Sequence, residues 1–171
     1  LDFAAETYQA AKEIETASPS EIEAILAEAK PGGMGFDREA RRYEALQKSV
    51  VARQKQLAAD PAAYVLTNVP RVRDMFAVAT TPESVQKAVQ ASIAEQERLG
   101  VRVDLIKPLP DEKAAEIVAS YLTAEQPADK AEFIGQLSAQ YGKSWPRVFE
   151  QLAGSGLPGG ADVMASMVHP R

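Results

Sequence analysis

The sequence predicts an all-α protein, a multi-helix bundle or array of about seven to nine helices with no significant sheet. Three observations lead there. Apolar residues recur three and four apart through most of the chain, as in Ile22, Ile25, Leu26 and Ala29. Segment after segment opens on a capping residue followed by proline, the pairing that starts a helix: Ser18-Pro19, Asp60-Pro61 and Thr81-Pro82. The apolar share is rich in Ala and poor in aromatics, which suits closely packed helices better than a sandwich of strands.

Taken in order, residues 2–16 read as a first helix with Phe3, Tyr8, Ala11 and Ile14 as its apolar points. Ser18-Pro19-Ser20-Glu21 spells a capping box and opens a second helix, which Pro31-Gly32-Gly33 ends. The Gly-rich run to Phe36 marks a boundary, so residues 1–36 are expected as an N-terminal helical arm. A main helical domain, 37–153, begins with a helix about 22 residues long, near 33 Å. Tyr43, Leu46, Val50 and Leu57 mark its apolar side. Arg53 interrupts that side, where it is expected to bury its stem and keep its head in water.

Short helices follow through Tyr64 and Leu66, then through Val72, Met75 and Phe76. A longer one, 82–99, carries Val85, Val89 and Ile93 and stops at Gly100. Residues 101–108 alternate briefly, but no second run is present to pair with them. They are expected as an extended connection whose Val and Leu side chains pin it to the helices. Three more helices use Ala114, Ile117, Val118, Tyr121 and Leu122, then Phe133, Ile134, Leu137 and Tyr141, then Val148, Phe149 and Leu152. Trp145 is expected in a small satellite core with Tyr141, Phe149 and Leu152. Residues 154–171 are expected as a flexible hinge and a short last helix through Val163, Met164 and Met167.

At 171 residues the chain is long enough for a core that needs no staple, and it contains no Cys, which removes disulfides and thiol chemistry. Its net charge of −5 is uneven. Residues 1–36 hold seven acids against two bases, residues 37–108 nine against twelve, and residues 109–171 eight against five. That alternation points to a protein partner or self-association. It is not the concentrated basic stripe of a nucleic-acid binder, and no specific nucleic-acid binding is expected. No apolar run reaches the length of a membrane span. A chain that begins with Leu1 fits processing or excision from something longer.

Candidate chemistry is sparse. His169 is the single histidine and stands two residues from the end. The closely spaced acids Glu13/Glu15, Glu21/Glu23 and Glu95/Glu97 are two apart and diverge around a helix. The loop Gly32-Gly33-Met34-Gly35 precedes a helix but lacks the Lys-Ser/Thr of a phosphate cradle. No catalytic, cofactor or metal residue is assigned and no cofactor is expected. Arg38, Arg41 and Arg42 lie within about one helical turn and are the candidate contacts for an anionic partner.

Several phrases carry a resemblance: Arg42-Tyr43-Glu44-Ala45-Leu46, Ala58-Ala59-Asp60-Pro61-Ala62-Ala63-Tyr64, Gln96-Glu97-Arg98-Leu99-Gly100-Val101, Pro108-Leu109-Pro110 and Tyr141-Gly142. In this order they resemble helical regions of large phage and prophage virion proteins, internal (ejection) or tail-associated, some of which carry a lytic transglycosylase domain elsewhere. The transglycosylase motif itself is missing. Glu83-Ser84 lies in a first helical turn without its companions, so no catalytic residue is carried over. The resemblance implies a non-enzymatic structural or interaction module, serving particle assembly or genome ejection, placed in a virion or the bacterial cytoplasm and able to touch the envelope peripherally. Two other settings suit the same helices: an accessory domain of a peptidoglycan-cleaving protein, and a helical adaptor or secreted effector.

Overall fold

The structure, a computed structural model, describes residues 3–32 and 37–158. These form nine α-helices and two short 3-10 turns, with no strand among the described residues. In chain order they are α1 (Phe3–Thr16), α2 (Pro19–Ala29), α3 (Asp37–Ala59), α4 (Pro61–Asn68), α5 (Pro70–Ala77), α6 (Pro82–Arg98), α7 (Asp111–Thr123), α8 (Pro127–Tyr141) and α9 (Trp145–Gly154). The expected C-terminal helix, His169 and most of the Gly-rich run before α3 lie outside the described residues.

Local chemistry sets the starts. Ser18 accepts from the Glu21 amide while the Glu21 carboxylate accepts from the Ser18 amide, which completes the capping box of α2. Thr81 and Ser84 do the same for α6. Two ends close as Schellman caps. At the end of α6, Gly100 takes φ +92° while the Val101 and Gly100 amides donate to the carbonyls of Gln96 and Glu97. At the end of α9, Gly156 takes φ +109° while the Leu157 and Gly156 amides donate to Leu152 and Ala153. The first residues of the expected hinge are therefore a helix cap, and Leu157 is buried against the core. A Cβ at Gly100 would stand 2.6 Å from Pro19 Cγ, so this position also lets α2 approach α6.

Three apolar clusters divide the molecule. Helices α6 to α9 enclose the largest, around Val89, Ile117, Ile134, Val148 and Leu152. Helices α3, α4 and α5 meet the end of α6 around Tyr64, Val65, Val72 and Leu99. Helices α1 and α2, the described part of the expected arm, pack on α3 through Ile14, Ala17, Ile22 and Leu46.

Four expectations about side chains are corrected. Tyr8 is 64 % exposed because α1 turns Ile14, about 120° round the helix, toward α3. Leu122 is 53 % exposed, since Tyr121, about 100° away, takes the buried position. Trp145 belongs to no satellite core. It packs on the main α6–α9 cluster and meets the Phe149 ring edge-on at 5.6 Å. Of the Val and Leu residues expected to pin the 101–108 connection, Val101 packs on the α3–α6 cluster, but Val103 and Leu105 are exposed. Ile106 and Pro108 are its buried residues, followed by Leu109 just beyond it.

Two glutamine amides hold that connection in place of a partner strand. Gln96, fully buried, donates to the Lys107 carbonyl (2.8 Å) and accepts from the Lys107 amide (3.0 Å). Gln151 grips Leu109 in the same two-bond fashion at 2.6 and 3.0 Å. Each side-chain amide supplies the donor and acceptor that a neighbouring strand would.

Candidate functional site

The end of α1 is where the layers are tied together. The last carbonyls of a helix have no intrahelical donor, and here three side chains from three other helices supply one each. Tyr64 Oη on α4 donates to the Glu15 carbonyl at 2.6 Å. Arg98 Nη2 on α6 donates to Thr16 at 2.7 Å. Arg53 Nη2 on α3 donates to Ala17 at 2.7 Å and also to Leu99, the cap of α6, at 3.1 Å.

Arg53 is only 5 % exposed, so its head is not in water as expected. The reason is electrostatic. The guanidinium lies between the C-terminal ends of α1 and α6, and each end carries roughly half a negative charge from its aligned peptides. Together they offset much of the charge that burial would otherwise penalise. Burial still lowers the Arg53 pKa, opposed by Tyr64, and it raises the Tyr64 phenol above its ordinary value, opposed by Arg53. Arg53 Nε is buried without a hydrogen-bond acceptor.

Arg53 also floors an open groove of about 500 Å³. One wall is the α2 stripe Pro19, Ile22 and Leu26; the other is the α3 stripe Val50, Leu57 and Ala58. Leu99, Val101 and Leu105 close the third side. Pro19, Ile22 and Leu26 on α2, like Val50, Arg53 and Leu57 on α3, are three, four and seven apart, so each set lies along one helix face and both line one hollow. Polar groups at the groove are few: Glu23 on α2, Gln54 on α3 and Arg102 on the connection.

The sequence-predicted arginines lie elsewhere. Arg38 and Arg42, one turn apart, both stand over the Phe3 ring, with guanidinium carbons 5.2 and 5.7 Å from its centroid. Arg41 is exposed and shares no ring contact with them among the described residues. Two of the three are thus brought together, on an aromatic face of α1. Arg71 pairs with Glu95 at 3.2 Å, and Arg98 meets the same carboxylate at 2.9 Å. Glu83-Ser84 sits in the α6 cap, where Ser84 serves the Thr81 backbone. Among the described residues no three His, Asp or Glu side chains are grouped to hold a metal ion, and no helix is long and apolar enough to cross a membrane.

The groove escaped sequence reasoning because periodicity places Ile22 and Leu57 in the interior, where they are, without showing that a hollow is left beside them. The one available signal was Arg53, a charge inside the α3 apolar stripe. No family model matches this chain, and neither a curated protein nor a solved structure matches it.

Proposed function

We propose that this chain is a non-enzymatic structural or interaction module of a phage-derived virion protein, acting in particle assembly or genome ejection. The resemblance of its helical phrases supplies the setting. The observation that carries the interaction role is the open groove of about 500 Å³ beside the α2–α3 contact, whose lining includes the exposed apolar residues Pro19, Ala58 and Leu105. Accessible apolar surface of this kind marks contact sites on folded proteins.

The test is mass spectrometry of particles purified from an induced producing strain. Peptides of this chain at a fixed ratio to the other particle proteins are expected. Recovery only as free protein in the cell or medium would contradict the virion setting and favour the adaptor or effector reading.

A further inference from the structure

We propose that the groove is a binding site for a small amphipathic carboxylate, an acid with one apolar chain, whose head lies over Arg53 and whose chain follows the hollow. This rests on the groove being a contact site and names the chemistry of its occupant. It does not rest on the virion setting.

Size and lining fit a small molecule. The hollow of about 500 Å³ falls within the roughly 300–1,000 Å³ of ligand sites, which are mostly apolar with a few placed polar groups. Ile22, Leu26, Val50, Leu57 and Val101 are among the apolar residues of this lining, and Glu23, Arg53, Gln54 and Arg102 are its polar side chains.

Charge then selects the head. Arg102 already pairs with Asp104 at 2.8 Å, and Glu23 is exposed to water. Arg53 is the buried charge of the lining, at 5 % exposure. Its Nη2 donates to two backbone carbonyls, but its Nε finds no acceptor. No carboxylate acts on it among the described residues. Of the side chains that do, Tyr64 is a neutral phenol near pH 7 and Arg98 is a second cation. The ends of α1 and α6 supply partial charges and no counter-ion. A carboxylate at the groove floor brings a full charge of the missing sign, and in an apolar lining that attraction is stronger than in water. A neutral head of the same size gains none of it.

Isothermal titration calorimetry of the full chain, with octanoate and separately with 1-octanol, tests this. Saturable one-to-one binding of octanoate is expected, at least about tenfold tighter than that of 1-octanol. Acetate, which lacks the chain, does not compete. Ala58→Trp fills the groove from an exposed position and so keeps the helical circular dichroism. It is expected to weaken octanoate at least about tenfold. Arg53→Met removes the preference for octanoate over 1-octanol, a ratio that a loss of stability alone does not move.

Absence of saturable octanoate binding overturns the proposal, as does binding indifferent to Ala58→Trp. Equal affinity for octanoate and 1-octanol overturns the choice of a carboxylate. If octanoate is excluded and Ala58→Trp instead shifts a monomer–dimer equilibrium, the occupant is a second copy and the proposal falls. A chain found at fixed ratio in particles without octanoate binding removes the ligand and leaves the module reading standing. Octanoate binding by a chain absent from particles does the reverse.

Discussion

Among the described residues, the α6–α9 body buries twelve apolar residues in one cluster, whereas the cluster that joins α1 and α2 to α3 buries four. Part of the difference is composition, since α3 is the most charged of these helices, and part lies in how the regions are joined. The body holds itself by close packing across four helices. The layer has too few buried side chains for that, and it is fastened through helix ends: Tyr64, Arg98 and Arg53 donate to the carbonyls that α1 leaves open. A hydrogen bond from a charged donor contributes about 1.5–3 kcal/mol, comparable to burying one large apolar side chain. Capping by residues far away in sequence therefore substitutes here for core.

The same device recurs at smaller scale. Asp60 caps its own helix by accepting from Ala63, and its second oxygen accepts from the Asp111 amide at the start of α7. Gln86 on α6 donates to the Gln140 carbonyl near the end of α8. In each case one polar side chain satisfies backbone groups of an element that is not its own.

The comparison breaks most visibly at Leu152. Leu152→Ala empties part of the body core and is expected to cost about 2–5 kcal/mol, read as a lower denaturation midpoint for the whole molecule. Arg53→Met keeps the volume but leaves the Ala17 and Leu99 carbonyls without their donor, at a cost of about 2–3 kcal/mol. That loss is expected in the layer first, so thermal unfolding followed at α1 precedes unfolding followed at Trp145. Asp60→Ala removes two caps and is expected to cost about 1–2 kcal/mol by chemical denaturation. Asp60→Asn, left with one carbonyl oxygen, keeps about half of that stability.

The smallest effect concerns pH and separates the regions again. Each holds one phenol whose pKa is raised by burial, Tyr64 at the layer and Tyr141 in the body. A raised folded-state pKa means stability that is full below the ordinary phenol value of 10.0 and is lost as pH rises through the folded value. Alkaline titration of stability is expected to show both, with Tyr64→Phe removing the layer's share and Tyr141→Phe the body's. If both substitutions left the alkaline slope unchanged, the burial of these two rings would be misassigned.

Much of the fold was legible because its signals are local. Ser18-Pro19, Asp60-Pro61 and Thr81-Pro82 mark helix starts that the structure has, and Gly100 marks a helix stop. What local pattern cannot carry is the identity of a distant acceptor. Arg53 reaches carbonyls 36 and 46 residues away, and from its neighbours alone it looked like a solvated interruption of an apolar stripe. The 101–108 run misled for a related reason. Its alternation suggested that Val103 and Leu105 face inward, but the backbone is held by Gln96 and Gln151 and the turn leaves both side chains outside. The groove was hidden the same way, since an apolar stripe predicts that a face avoids water and not that a hollow is left beside it.

Hydrogen exchange read by mass spectrometry on Arg53→Met tests the central claim most directly. If the polar node fastens the layer, amides of α1 and α2 lose protection while those of α6 to α9 exchange as in the parent protein. Equal loss across all helices, or none in α1 and α2, would contradict it.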